Sequence, residues 1–463
     1  MISEGSWTRT ETDELGSRKL PGEALYGINT LRAAENFPVS GMQIEALSPL
    51  IHAMALTKKA AAMANHRLGK LSARKAEVIG RVCDELMAGQ HAGQFIVDVF
   101  QGGGGTSSHM NMNEVIANRG LELMGHACGQ YEHLHPVRDV NRSQSTTDVH
   151  ATALRIALMQ AAPGLEAAIR DLADAFAAKG QEFAGILKLA RTHLQDAVPM
   201  TLGEEFAAFG SALRQEGARI SPASQALAGL NLGGTMVGSG LTAQPEFADA
   251  VIAELQRLTE LPLRRAEDLV SAAWSTADLV QFSAMLRGLA LTMSKIASDL
   301  RLLSCGPRGG LGEIILPAVQ HGSPLVEGKM NPVIPEMINQ VAIHVAGADA
   351  SVGMAAQSGQ LQRNPFEPLI AHCLLTSIGM ISSAARILAR RCVEGIRPDP
   401  AACAAHLSAP QTLIAGLTTL VGPEVAAAIA SSVAAGTALD EALRNHGLGP
   451  LTFATDTHDK PQF

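Results

Sequence analysis

Two long stretches carry apolar residues at alternating steps of three and four, which is the spacing of helices that bury one face. In the first stretch the apolar positions are Leu154, Leu158, Ala161, Leu165, Ala168 and Leu172. In the second they are Phe282, Leu286, Leu289, Met293, Ile296, Leu300 and Leu303. So sustained a rhythm predicts long helices packed nearly parallel, as in a bundle. Pro163-Gly164 predicts a kink in the first helix.

Polar segments, three of them broken by glycines, interrupt this helical pattern. They are Gln101–Ser108, Asn141–Asp148, Ala190–Met200, Asn231–Gly240 and Gly322–Glu336. The last has two glycines and three prolines, so we expect a loop that cannot continue as helix or strand. It carries the polar side chains Ser323, Lys329, Asn331 and Glu336. This mixture predicts a mobile catalytic loop, with an ordinary surface connection as the alternative.

Composition favours helices over sheets and a small-molecule partner over a macromolecule. Hydrophobic residues make up 47% of the chain but aromatic residues only 3%, so the core must consist of Ala, Leu, Ile, Val and Met. The net charge of -8 includes no basic block, so we expect no nucleic-acid partner and no binding to an anionic membrane.

The cysteine pattern and the start of the chain predict a reduced, cytoplasmic protein. The six cysteines include no Cys-x-x-Cys pair and no His at zinc-ligand spacing, and Met1–Glu14 lacks a signal pattern. The uncharged stretch Leu369–Ala385 is diluted by His, Ser and Gly, so we expect no membrane span. We predict no cofactor and assign no metal ligands, which leaves activation by a divalent metal open.

Several of these segments, in this order, resemble the signatures of the aspartase/fumarase superfamily, aspartase-like branch. The similar segments are Tyr26-Gly27 through Phe37-Pro38; Gly105-Thr106-Ser107 with Asn111-Met112-Asn113-Glu114; Ser143-Gln144-Ser145-Thr146 with Asp148-Val149; Thr192-His193-Leu194-Gln195-Asp196; and Gly322-Ser323 with Gly328-Lys329-Met330-Asn331-Pro332 and Glu336. The resemblance covers residues from about 9 to 396, and the chain from 397 onward matches poorly.

This resemblance implies an all-α fold of three domains. We expect an N-terminal domain over 1–142, a central helical bundle over 143–396 that contains the signature loop 322–336, and a small C-terminal domain with a polar tail over 397–463. The central bundle would join three other subunits in a twenty-helix core of a homotetramer. Active sites in the family are built from three subunits, so the segments around Thr106, Ser145, His193 and Ser323 would lie on different chains.

The chemistry implied by the resemblance is removal of a proton next to a carboxylate, followed by loss of an amine or hydroxyl from the neighbouring carbon. Ser323 would be the base, acting as an alkoxide, with Lys329 supplying charge and Asn331 an amide donor. Glu336 would orient His193, which would hold a carboxylate or pass a proton to the leaving group. Hydroxyl donors for anionic oxygens would come from Thr106, Ser107, Ser145, Thr146 and Thr192.

Three residues depart from the family pattern and suggest an unusual substrate. Pro324 replaces a serine, and Glu327 brings a negative charge to a loop that normally closes over a carboxylate. Thr147 stands where the family has an asparagine that contacts the leaving group, so that corner is roomier and more apolar. We therefore hypothesise a trimethylammonium betaine with an N–H-bearing ring, the kind of substrate that ergothionase cleaves to release trimethylamine, with Glu327 binding the ring.

Other functions stay open at this point. The first alternative is an ordinary aspartate ammonia-lyase in which Glu327 faces solvent. A fumarase-like hydratase and a non-catalytic structural relative follow. The structural role predicts loss of Ser323, Lys329 or His193, and all three are present.

Overall fold

Helices make up most of the computed structural model, which describes residues 7–407, 417–418 and 421–449. The helices are α1 (Ile28–Asn36), α2 (Ser48–Arg67), α3 (Ala73–Met87), α4 (Thr106–Leu123), α5 (Thr146–Glu182), α6 (Leu202–Gly217), α7 (Ile220–Ala226), α8 (Phe247–Thr259), α9 (Leu269–Ala272), α10 (Ala277–Leu303), α11 (Val333–Gln357), α12 (Glu367–Arg391), α13 (Pro400–Leu407), α14 (Pro423–Ala434) and α15 (Leu439–Asn445). One π-helical turn, Pro136–Val140, precedes α5.

The two apolar stripes lie on the two longest of these helices, as predicted. All seven stripe residues of α10 are buried. On α5, Ala161 is only partly buried, and the other five stripe residues are buried. Helix α5 continues through Pro163 to Glu182. The helical periodicity therefore located both elements.

The expectation of an all-α fold is wrong in one respect, because the described residues include four two-stranded sheets. The strands are β1 (Thr8–Asp13), β2 (Gly16–Pro21), β3 (Leu187–Thr192), β4 (Gln195–Thr201), β5 (Gly229–Leu230), β6 (Arg264–Arg265), β7 (Ile314–Ile315) and β8 (Arg397–Pro398). Three pairs are antiparallel, and β5 with β6 is parallel. Most of the strand residues are polar or partly exposed, so they lack the alternation of apolar positions that identifies a half-buried strand.

The predicted signature loop 322–336 also needs a correction at its C-terminal end. Helix α11 begins at Val333, so Glu336 lies in its first turn. The backbone N–H of Glu336 donates to the Pro332 carbonyl at 3.0 Å. Pro335 fits here because the first N–H groups of a helix have no intrahelical acceptor to lose. The three prolines therefore mark a loop that leads into a helix start.

Two compact units divide the chain. Unit one contains residues 1–166, 218–288 and 343–381, and unit two contains 167–217, 289–342 and 382–463. Within unit one, α2 packs against both α3 and α8, and α4 packs against α1 and α3. Within unit two, β3 contacts α13 and β4 contacts α6. The three-domain division expected from the sequence stays a prediction.

Unit two contains a cluster of four phenylalanines. Phe176, Phe183, Phe206 and Phe209 form four ring contacts with centroid separations of 5.1 to 6.0 Å. A separate small core joins α14 and α15, with Ile429, Ala442 and Leu443 completely buried. The predicted polar tail, Asp456–Phe463, lies outside the described residues.

One helical segment, Glu367–Gly395, is long and apolar enough to cross a membrane by length and composition, but 67% of its apolar window is buried within the protein. That burial is typical of a core helix of a soluble protein. All six cysteines are free, and Cys83, Cys373, Cys392 and Cys403 are buried. Neither finding opposes the expectation of a reduced protein without a membrane segment.

Candidate active site

The twelve predicted site residues fall into two groups, one in each compact unit. Unit one contains Thr106, Ser107, Ser145, Thr146 and Thr147. Unit two contains Thr192, His193, Ser323, Glu327, Lys329, Asn331 and Glu336.

In unit one, two helix N-termini bring hydroxyl groups together. Thr106 is the first residue of α4 and Thr146 is the first residue of α5. Their Oγ1 atoms lie 3.3 Å apart, and the Thr106 hydroxyl also donates to the Gly103 carbonyl at 2.8 Å. The expectation that the Thr106 and Ser145 segments lie on different chains is therefore wrong for this pair. Two helix N-termini that carry hydroxyl groups favour an anionic group.

The glycines before Thr106 are required by backbone conformation and by a close approach. Gly103, Gly104 and Gly105 all have positive φ, at 83°, 61° and 91°. A Cβ on Gly105 would lie 2.5 Å from the buried His150 ring. The guanidinium of Arg363 donates to the Gly104 carbonyl. The four-glycine run is thus a fixed turn that leads into α4.

Asp148 fixes the backbone around Ser145 and Thr147. Its fully buried carboxylate accepts hydrogen bonds from the backbone N–H groups of Ser145 at 2.9 Å, Gly233 at 3.2 Å and Thr235 at 3.0 Å. Burial raises the pKa of Asp148 to about 6, against the opposing effect of these donors. The second glycine-rich segment therefore supports the start of α5.

Behind Thr146 lies a buried polar cluster that the sequence reasoning missed. Lys58 Nζ is 2.6 Å from His109 Nε2, 2.8 Å from Asn141 Oδ1 and 2.9 Å from Gln144 Oε1. His109 Nδ1 lies 2.8 Å from Thr146 Oγ1. Lys58 is completely buried and His109 is 1% exposed. The sequence does contain one signal for this cluster. Lys58 follows the buried Met54 by four positions, about one helical turn, so it lies on the apolar face of α2.

In unit two, a tight hairpin presents Thr192 and His193. Strands β3 and β4 pair Thr192 with Gln195, so His193 and Leu194 form a two-residue turn. Their φ angles are 54° and 63°, which is the left-handed region needed at both positions of a type I′ turn. Neither residue is a glycine, so the turn is strained by roughly 1–2 kcal/mol per residue. Such strain is typical of functional positions.

A buried ionic cluster holds the base of this hairpin. The carboxylate of Glu313, which is 0% exposed, lies 2.8 Å from Arg191 Nη1, 2.9 Å from Lys188 Nζ and 2.9 Å from His406 Nδ1. Lys188 Nζ also contacts Glu205 at 2.6 Å. Burial opposes ionisation of Glu313, but the cations Lys188 and Arg191 hold its pKa below the usual range. Arg191 directly precedes Thr192, so this cluster fixes the position of the tip.

The loop before α11 places two backbone donors on one hydroxyl oxygen. Ser323 Oγ accepts hydrogen bonds from the N–H groups of Leu325 at 3.1 Å and Val326 at 3.2 Å. The Gly322 N–H donates to the Lys329 carbonyl at 2.9 Å, and Asn331 Nδ2 donates to the Gly322 carbonyl at 2.8 Å. Two N–H donors stabilise a developing alkoxide, which lets a serine act as a base.

The structure does not bring together all of the residues that the sequence linked. Among the described residues, no hydrogen bond joins Glu336 to His193 or His193 to Ser323. Glu327 and Lys329 are exposed on the loop, and the Glu327 side chain makes no ion pair within the described part of the chain. No group of three or more His, Cys, Asp or Glu side chains that could hold a metal ion occurs among those residues.

Comparison with known proteins gives matches over nearly the whole chain. A family model described as Lyase matches residues 16–347. An aspartate ammonia-lyase from Pseudomonas fluorescens is 45% identical over 97% of this chain and 94% of its own length. The crystal structure titled fumarate lyase:delta crystallin from Brucella melitensis, bound to cobalt, is 48% identical with a TM-score of 0.92 and covers 96% of both chains. A class II fumarase from Schistosoma mansoni is 30% identical with a TM-score of 0.91 and the same coverage.

Proposed function

We propose that this chain, which belongs to the aspartase/fumarase superfamily of lyases, converts aspartate to fumarate and ammonia. Its similarity to aspartate ammonia-lyases over nearly the whole length makes it a carbon–nitrogen lyase of the ammonia-lyase type. Aspartate as the substrate, and the residues that act on it, are the parts that we propose.

The observation that carries the mechanism is the surroundings of the Ser323 hydroxyl. A free serine is too weak a base to take a proton from carbon, so its ionised form must be stabilised in advance. The N–H groups of Leu325 and Val326 already point at Ser323 Oγ. Lys329, six residues further along the same loop, would add a positive charge and a donor for a carboxylate.

In the proposed reaction, the Ser323 alkoxide removes a proton from the carbon next to the side-chain carboxylate of aspartate. The electron pair of the broken C–H bond moves onto that carboxylate as an enediolate, which hydrogen-bond donors and positive charge stabilise. The pair then returns to form the carbon–carbon double bond, and ammonia leaves the neighbouring carbon. The Thr146 hydroxyl at the N-terminus of α5, 3.3 Å from that of Thr106, would bind a carboxylate.

The trimethylammonium betaine gains no support from the position of Glu327. A ring-binding role requires its carboxylate to face a pocket, whereas Glu327 is exposed and unpaired within the described residues. Similarity to aspartate ammonia-lyases favours the alternative that the sequence left open, in which Glu327 faces solvent. A betaine therefore enters the test only as a competing substrate.

We also propose a homotetramer in which other copies of the chain complete each pocket. Support comes from large apolar side chains exposed on the long helices α10 and α11, Leu291, Ile343 and Met354, which another chain would cover. The test mixes two impaired variants, Ser323→Ala and Thr146→Val, after dissociating and reassembling them. If the two residues serve one pocket from different chains, some mixed sites contain both native residues, and the activity of the mixture exceeds the sum of the two variants. A mixture no more active than that sum, or a monomeric mass by light scattering, contradicts the shared pocket.

The test of the reaction itself is the ultraviolet absorbance of fumarate as the protein meets aspartate. We expect absorbance to rise with aspartate. In Ser323→Ala the rate of this rise should be about a hundred- to ten-thousandfold lower, because a positioned base contributes that much. Ser351→Ala is the matched control, since that hydroxyl only donates to the Gly347 carbonyl on its own helix. Absorbance growth with an imidazole betaine and none with aspartate would replace the proposed substrate.

A further inference from the structure

A continuous line of hydrogen-bonding groups runs from the interior of unit one to its surface. It starts at the fully buried Lys58, passes through the His109 ring and reaches the half-buried Thr146. The exposed Thr106 lies beyond, 3.3 Å from Thr146. A buried lysine with no carboxylate in hydrogen-bond contact is costly, so this arrangement calls for an explanation.

Two of the three hydrogen-bonding directions of the Lys58 amine are fixed by neighbouring amides. The Asn141 side chain donates from Nδ2 to the backbone carbonyl of Gln144. The Gln144 side chain donates from Nε2 to the backbone carbonyls of Val140 and Arg142. Their oxygens therefore face Lys58 and can only accept. Two hydrogens of Nζ go to these oxygens whether the group is an ammonium or a neutral amine.

The third hydrogen-bonding position of Nζ faces His109 Nε2 at 2.6 Å. Whether Nζ donates or accepts at this position depends on the charge of Lys58. An ammonium has a third N–H there, so Nε2 must accept and the ring hydrogen must sit on Nδ1. A neutral amine has a lone pair there, so Nε2 must carry the hydrogen and Nδ1 must accept. The charge of Lys58 thus selects the tautomer of His109.

The tautomer in turn decides what Thr146 offers to the surface. When Nδ1 carries the hydrogen, it donates to Thr146 Oγ1, and the Thr146 hydrogen is free to point outward. When Nδ1 accepts, the Thr146 hydroxyl must donate inward and has only lone pairs left for a ligand. Thr106 cannot replace Thr146 as the donor to a ligand, because its one hydroxyl hydrogen is donated to the Gly103 carbonyl at 2.8 Å.

We propose that Lys58 and His109 are positioning residues that turn the Thr146 hydroxyl into a hydrogen-bond donor for a carboxylate of the substrate. This inference rests on the proposed function for the identity of that carboxylate. It predicts that affinity for the substrate falls when Lys58 loses its proton, since Thr146 then presents lone pairs to an anion.

The surroundings allow this change of charge. Burial lowers the pKa of Lys58 well below that of an ordinary lysine, and the Asp148 carboxylate partly opposes the shift. Burial and then the Lys58 charge lower the pKa of His109 well below its usual value, which keeps the ring neutral. The other groups that face this pair are Cys83 on α3, His150 on α5 and Arg363 ahead of α12. Burial raises the pKa of Cys83 to about 12, so its thiol stays neutral.

The kinetic test uses His109 variants, because Lys58→Met would leave three buried acceptors without a donor. In His109→Asn the amide nitrogen is bonded to Cγ as Nδ1 is, so it donates to Thr146 whatever the charge of Lys58. We expect the aspartate KM of the native protein to rise with pH and that of His109→Asn to stay flat. In His109→Leu the side chain at position 109 no longer orients the Thr146 hydroxyl, so its hydrogen can reach the carboxylate at any pH but is not held there. We expect a KM about two- to tenfold above the native value at neutral pH, the effect of losing one hydrogen bond, and no dependence of that KM on pH.

A double-variant comparison separates positioning from general damage. If His109 acts through Thr146, adding His109→Leu to Thr146→Val raises KM no further than Thr146→Val alone. Additive effects would overturn the inference, as would a rise of KM with pH in His109→Asn that matches the native protein.

A second measurement needs no turnover. The side-chain nitrogen resonances of histidine, labelled with nitrogen-15 in the full-length protein and assigned by their loss in His109→Asn, report the tautomer directly. We expect hydrogen on Nδ1 at neutral pH and its transfer to Nε2 as pH rises. Hydrogen on Nε2 at neutral pH would overturn the inference. The expected tautomer together with no activity on aspartate would support the Lys58 arrangement and remove the proposed substrate.

Discussion

Replacing Glu313 by glutamine tests whether the buried ionic cluster supports the His193 hairpin. The glutamine oxygen can still accept from Arg191 and His406, but its amide NH₂ then faces the Lys188 ammonium, donor against donor. Breaking a buried pair by removing one partner costs about 3–5 kcal/mol. Because Lys188 keeps Glu205 at 2.6 Å, we expect the lower end, about 3 kcal/mol of unfolding free energy.

Glu205→Gln is the matched control for this change. Its side chain is 22% exposed and forms its one ion pair among the described residues with Lys188, so the same substitution should cost about 1 kcal/mol. Urea unfolding of the native protein and both variants measures the difference, and aspartate turnover reports whether the hairpin still works. Equal losses in the two variants, or native stability in Glu313→Gln, would refute the reasoning about burial.

The same carboxylate gives a pH dependence with a definite sign. The pKa of Glu313 is below its usual range in the folded protein, so the unfolded chain binds its proton more readily. Its stabilising contribution is therefore complete above the ordinary glutamate pKa and is lost as pH falls through the folded value. On acidification the native protein should lose stability more steeply than Glu313→Gln. Parallel pH profiles of the urea midpoint would contradict this.

Two further predictions concern backbone conformation. Gly105→Ala should destabilise the protein by about 2–4 kcal/mol and impair turnover, since its Cβ would meet the His150 ring. Gly125→Ala is the control, because Gly125 also has a positive φ but has open space around it, and it should cost about 1 kcal/mol. Equal losses in a urea titration would remove the role of the His150 contact. Leu194→Gly should raise the unfolding free energy by up to about 1 kcal/mol and Leu194→Val should lower it by a similar amount, because φ at this position is 63°. Identical midpoints for the two variants would show that the turn is not strained.

The sequence was most informative where one physical pattern dominated. The apolar stripe from Phe282 to Leu303 predicted α10, since burial of one face imposes a helical period. The longer strands escaped prediction because they lack a clear alternation of apolar positions, and the two-residue strands because they are held by pairing with distant segments. Ile314, for example, pairs with Pro398, and no local pattern encodes that contact.

The candidate site divides in the same way. Ser323 and Thr146 could be proposed because they sit in polar segments that resemble family signatures. Lys58, His109 and Glu313 could not be proposed, because each lies outside the polar segments named from the sequence. The role of each depends on groups from several elements. The assignment of Glu327 to a pocket stays a prediction, since sequence position alone does not say which way a loop side chain faces and Glu327 is exposed in the single chain.

The most direct test of the central claim runs the reaction backwards. Fumarate and ammonium, labelled with nitrogen-15, are incubated with the protein and followed by proton NMR. A carbon–nitrogen lyase acting on aspartate must produce labelled aspartate, and Ser323→Ala must produce far less. Formation of malate instead would identify a hydratase, and no change in fumarate at any ammonium concentration would contradict aspartate as the substrate.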